Sequence, residues 1–423
     1  ILIGLVGSEM CIRDRCMGRF KYIPLFWTSL GVFLFTFKFY FITSYIGSLW
    51  SNFFFIFGIL SFIFSFYVKG SQVVLPFAGV LRYIYVFYLL WSVLVIVRAS
   101  VEGAPIEWNM LIYQPDYFWQ YWIPFILLFG IRYLNFKDVK CILILSMLVG
   151  MFYIILNWEE IFFTSHLNLY NSFIAEEVRK GQVASYFILP AGIILLCQKF
   201  YSNKLVVFTI LLFLLGSVNA ALYARRSTLF FYFFFLLSGL LIYVKKENLV
   251  KLLWGILVII GICLILMSSF DWESYLVLLL DKLDKNTRSG VEMAFYKDMS
   301  WMDWIIGRGM TGTYYCWEVS DIDRLNRLVI ETGYLNIILK GGIFLLLPYV
   351  FFCIKSFFLG YFKSKNMLTK GMGVYCLAYV FFLYPSGTPE FNLSWVILWI
   401  SILYCNTSSI RYMSDEQIRN KYF

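Results

Sequence analysis

The chain has 423 residues, of which 61% are hydrophobic and 14% charged, and it carries a formal net charge of +10 with a single histidine, His166. A soluble domain usually has roughly 25% charged residues, so this composition excludes an ordinary water-soluble globule. It points instead to an all-α polytopic membrane protein, because a chain in lipid must satisfy its backbone hydrogen bonds within its own helices.

Residues 1–16 stand apart. The run "LVGSEMCIRDR" reads like a translated sequencing adapter, and Met17 in "MGRFKYIPLFW" is then the expected start of a single multi-spanning domain over 17–423. A bilayer crossing needs about 20 apolar residues. Twelve runs are predicted to be transmembrane helices: 23–43, 49–68, 79–97, 117–131, 139–157, 184–198, 205–222, 227–244, 249–270, 334–353, 371–384 and 393–405. The fourth, sixth, eleventh and twelfth are short, which tilt and snorkelling can accommodate. Lys38, near the outer end of the first run, is expected to snorkel.

Basic residues near short loops set orientation. With the N-terminus inside, Lys69 and Arg82, Lys137 and Lys140, Lys199 and Lys204, Lys245 and Lys246, Lys363 and Lys365, and Arg411 and Arg419 all fall on the inner side. Both termini are then cytoplasmic. The one large outer segment is 271–333, between the ninth and tenth runs. It is expected to hold two helices lying on the membrane surface, a glycine loop "GRGMTG", and a short helix leading into the tenth run. Inner loops are too short for a cytoplasmic catalytic domain, and no nucleic-acid partner is expected.

Against this pattern, "YARRST" at 223–228 sets Arg225 and Arg226 on the outer side between two very apolar runs. An arginine deep in a bilayer is costly. Either both side chains snorkel to headgroups, or one or both turn inward and hold an anion. Lys340, ahead of Gly341 and Gly342 in the tenth run, is a second intramembrane charge that either lines a cavity or pairs with a buried group.

The outer residues limit the chemistry. Asp321 and Asp323 form an Asp-x-Asp triplet of the kind that holds a divalent metal, but such triplets are common by chance, and no metal or cofactor is expected. A hydrolytic triad would have to recruit His166 with no nucleophile elbow nearby. Arginines, carboxylates and glycines remain. They suit a substrate with a good leaving group that needs only charge stabilisation, such as a lipid-linked diphosphate sugar, whose departing diphosphate a guanidinium can bind bidentately. The attacking hydroxyl also needs a base. Glu331, at the outer end of the tenth run, is the first candidate, with His166 and Glu177 behind it.

Two stretches carry a resemblance. "YARRSTLFFYFFFLLSGLL" resembles the outward-facing arginine and following span of the O-antigen polymerase and O-antigen ligase group of bacterial envelope proteins. "RSGVEMAFYKDMSWMDWIIGRGMTGTYY" followed by "ETGYLNIILKGGIFLLLPYV" is similar to that group's loop arginine, amphipathic helix, Gly-x-Gly loop and next span. The likeness covers about residues 205–350. At the start of the tenth run, where the ligases place a histidine, this chain has Glu331 and Thr332.

The resemblance implies a metal-independent inverting glycosyltransferase of the bacterial inner membrane. It would polymerise lipid-linked oligosaccharide repeat units at the periplasmic face, drawing on a polyprenyl diphosphate carrier. Arg225 or Arg226 and Arg288 would bind the diphosphate, with Arg308 as a secondary contact and Glu331 and Arg288 acting in catalysis. Membrane lipid and a chain-length regulator protein would be its partners. A ligase acting on lipid A core is the nearest alternative, and a lipid-linked oligosaccharide flippase or another transporter is the rival from a different class.

Overall fold

A computed structural model of the chain describes residues 23–39, 48–69, 73–100, 108–130, 134–158, 183–222, 225–243, 287–316, 326–385 and 388–423. Eleven of the twelve apolar runs are helical in it, and the ninth, 249–270, lies outside the described residues, as do residues 1–16. The helices are α1 (Ile23–Phe37), α2 (Ser48–Lys69), α3 (Val80–Val97), a 3₁₀ helix (Trp119–Phe129), α4 (Phe136–Leu156), α5 (Val183–Leu196), α6 (Asn203–Leu222), α7 (Arg226–Tyr243), and, after the outer segment, α10 (Gly333–Phe357), α11 (Met367–Phe382) and α12 (Leu393–Asn406). Five of them are long and apolar enough to cross a bilayer, and six are shorter apolar helices. The chain is therefore an all-α membrane protein.

Local sequence explains the shortest elements. Pro124 interrupts the 3₁₀ helix and lacks an N–H, which removes a helical hydrogen bond. The Pro124 carbonyl accepts from the buried Tyr85 hydroxyl at 2.8 Å. Gly31 and Gly58 face each other where α1 meets α2, where an added Cβ would stand 2.5 Å and 2.9 Å from backbone oxygen. Close packing of this kind, rather than a hydrophobic drive, joins helices in lipid.

The loops sort into two ends. At one, Tyr404 donates to the Leu134 carbonyl, Lys199 pairs with Asp415 at 2.7 Å, and the Lys365 N–H donates to the Arg411 carbonyl. At the other, the Phe391 N–H donates to the Pro115 carbonyl and the Tyr334 N–H to the Leu383 carbonyl. The first group joins predicted inner loops and the second predicted outer loops, as the alternation of runs requires.

Within the outer segment lie α8 (Thr287–Asp298) and α9 (Trp301–Ile306), then the glycine loop, then an antiparallel pair of two-residue strands, β1 (Tyr314–Tyr315) with β2 (Asn326–Arg327). The short helix expected before the tenth run falls largely on residues 317–325, which lie outside the described residues; the strand pair flanks them. Its Tyr314 is buried against Phe295 of α8, and aromatic residues favour such pairing. Ala294, Phe295, Met299, Tyr314 and Ile330 pack with Leu335, Ile338 and Leu339 of α10 into a small second core.

Candidate functional site

The described residues of the outer segment are anchored in a break in α10. Gly342 has φ 67° and ψ −171°, so α10 is two helices meeting at Lys340–Gly342. A break frees carbonyls whose N–H partners would lie four residues on, and in a membrane helix they need new donors. The glycine loop supplies them. The Arg308 N–H donates to the Leu339 carbonyl at 2.7 Å and the Gly309 N–H to the Lys340 carbonyl at 2.9 Å, while the Trp91 indole donates to the Gly341 carbonyl at 2.6 Å. A Cβ on Gly307 would stand 2.5 Å from the Gly341 nitrogen, so only glycine allows this approach.

Side chains clamp the loop from three directions. Arg98, at the end of α3, donates to the Ile306 and Gly307 carbonyls, both at 2.7 Å, at the C-terminus of α9. Cations are favoured there by the helix dipole. Lys340 is buried and donates to the Gly312 carbonyl at 2.9 Å, so it pairs with the loop. Arg308, expected as a secondary diphosphate contact, has both terminal nitrogens engaged: one on Asp298 and the Thr313 carbonyl, the other on the Asp298 carbonyl and on Asp303 at 2.8 Å. Its geometry is that of a loop brace.

Beside this clamp, charged groups from several elements converge. Arg225 lies just before α7, half-buried, and interacts electrostatically with Tyr186 of α5 and with Glu331. Burial lowers its guanidinium below the ordinary value, and both neighbours oppose that. Glu331 is exposed at the start of α10, and the adjacent Thr332 hydroxyl donates to Glu292 of α8. Arg288 lies one turn before Glu292 in α8. Arg226 opens α7, whose first N–H groups, like those of any helix, lack an intrahelical partner and favour anions.

A further carboxylate completes the group. Glu390, in the turn before α12, accepts from the Asn392 amide at 2.8 Å and from the Tyr186 hydroxyl. Burial, and to a lesser extent Asp116, raises its carboxyl to about 8 against the opposing effect of the two hydrogen bonds. Asp116 also interacts with Lys340. Tyr186 therefore interacts with both the Glu390 carboxyl and the Arg225 guanidinium. The sequence left Glu390 out because its only local signal is one carboxylate in "TPEFN", and its partners come from positions 116 and 186.

Other expectations resolve variously. Lys38, expected to snorkel, is 6% exposed with its ammonium 4.7 Å from the centre of the Tyr113 ring; packing of α1 against its neighbours turns it inward. His166, Glu177, Asp321 and Asp323 lie outside the described residues. Among those described, no group of three His, Cys, Asp or Glu side chains could hold a metal. Comparison of the chain with protein-family models, with curated proteins and with solved structures gives no match.

Proposed function

We propose that the chain is a membrane glycosyltransferase that lengthens lipid-linked oligosaccharides, transferring a glycan from a polyprenyl diphosphate carrier to a hydroxyl of an acceptor lipid-linked unit. The observation that carries this reading is the electrostatic interaction of Arg225 with Glu331 and Tyr186, the latter hydrogen-bonded to Glu390, at the end of the bundle where the predicted outer loops meet. A guanidinium next to carboxylates offers one group for a departing anion and another for a proton. In the reaction, the acceptor oxygen attacks the anomeric carbon and its proton passes to the Glu331 carboxylate. The bond to the diphosphate breaks and the carrier leaves as free polyprenyl diphosphate. Arg225 holds that diphosphate with Arg226 and Arg288, and Arg308 braces the loop that bounds the site. The setting is the outer face of the bacterial inner membrane, with both termini cytoplasmic.

A second reading has its own support. Broken helices with intramembrane charges are a feature of transporters, and α10 with Lys340 has both. Here the carbonyls freed at the break are taken by the glycine loop and Trp91, which argues for a fixed anchor rather than an ion site. Proteoliposomes given only lipid-linked repeat units separate the two. Lengthened lipid-linked chains support the transferase, and movement between leaflets with no lengthening supports the transporter.

A further inference from the structure

The opposite end of the bundle holds an arginine that the proposed reaction does not use. Arg411 ends the four-residue helix Ser408–Arg411 and is only 8% exposed. Among the described residues its Nε is enclosed without a hydrogen-bond partner, and its guanidinium makes one bond, to the Lys363 carbonyl at 3.3 Å. Among the described residues no carboxylate pairs with it or with the neighbouring Lys363 and Lys365. Asp415, four residues on, is engaged by Lys199 and by the Met367 N–H.

This corner is built and held. The buried Asn366 amide donates to the carbonyls of Ile410, Arg411 and Met413 at 2.8–3.2 Å, tying the 363–366 turn to the 410–413 turn. Both Arg411 and Lys365 lie over the Tyr412 ring, at 5.5 Å and 5.9 Å. Burying an unpaired guanidinium is costly, so the arrangement calls for an anion. Next to the cations, Phe358 and Phe362 on the π turn that follows α10 are 55% and 60% exposed. A basic corner adjoining exposed aromatic rings matches a ligand with a charged head and an apolar tail.

We propose that this corner binds the phosphodiester headgroup of an anionic phospholipid, with Arg411, Lys363 and Lys365 around the phosphate and Phe358 and Phe362 along the first methylenes of its chains. A free phosphate shares the head chemistry and has no use for the aromatic side, so lipid is the source assigned.

The test uses the purified full chain in a neutral detergent, reading its melting temperature with added phosphatidylglycerol, phosphatidylcholine or inorganic phosphate. Phosphatidylglycerol is expected to raise the midpoint well above phosphatidylcholine, with Arg411→Gln weakening its apparent affinity at least tenfold. Because Arg411 is buried and its variant can misfold, the exposed pair Lys363→Gln and Lys365→Gln is read alongside. That double variant should melt normally without lipid and lose most of the gain. Equal gains from the two lipids, an undiminished gain in the double variant, or a gain from inorganic phosphate matching that from phosphatidylglycerol would each overturn the proposal.

Discussion

Replacing Gly342 by alanine attacks the seam on which the outer segment rests. The new Cβ would stand 2.1 Å from the Ile305 carbonyl oxygen and 2.3 Å from its carbon, both backbone atoms that cannot swing aside. The residue would also have to hold φ 67° and ψ −171°, a conformation that costs a non-glycine residue roughly 1–3 kcal/mol. The chain escapes by releasing the loop. It then forfeits the N–H bonds of Arg308 and Gly309 at about 1 kcal/mol each and the two bonds from Arg98, at the lower end of the range for charged donors, at about 1.5 kcal/mol each. Together these contribute about 5 kcal/mol. At about 1.4 kcal/mol per factor of ten, hydrogen-exchange protection of the Arg308 and Gly309 amides should fall by more than three orders of magnitude. Glycan lengthening should fall with it. The control is Gly79→Ala: Gly79 has φ 60° but nothing within 4 Å of an added Cβ, so it isolates strain from collision and should leave the loop amides protected. If Gly342→Ala leaves those amides as slow to exchange as in the parent, the docked seam is not what holds the loop.

Three further outcomes follow from the same contacts. Arg98→Ala removes both caps on the end of α9 and should cost about 3 kcal/mol, read as a lower melting temperature; an unchanged midpoint would mean that the two bonds contribute nothing net. Because the folded Glu390 carboxyl lies near 8 against an ordinary 4.5, its share of stability is complete below about pH 4.5 and is lost as pH rises through 8. Glu390→Gln should flatten that fall in melting temperature between pH 5 and 8.5, and a parallel profile in parent and variant would refute the burial argument. Arg225→Lys keeps the charge but loses the planar fork, so lengthening should slow by roughly tenfold or more with the melting temperature unaltered; full activity would remove Arg225 from the carrier site.

The helices were legible because each apolar run had to close its own hydrogen bonds, and the two ends of the bundle because basic residues alternate with the runs. The loop glycines 307 and 309 and the pair 341 and 342 were visible as glycines, but nothing in one dimension says that they lie against each other. Likewise Lys340 was legible as an intramembrane charge, whereas its partner, the Gly312 carbonyl, is a backbone atom of a distant loop. The partners of Arg308 were likewise hidden: Asp298 and Asp303, ten and five residues earlier, curl back on α8 and α9 to pair with it. Glu390 escaped notice because convergence from positions 116, 186 and 392 is a property of packing alone.

The most direct measurement counts free polyprenyl diphosphate released per glycosidic bond formed when purified protein in liposomes is supplied with lipid-linked repeat units as the sole substrate. The account predicts one carrier released for each unit added, with both quantities falling together in Arg225→Gln. Longer chains without carrier release, or carriers that cross the bilayer with their glycans intact, would contradict it.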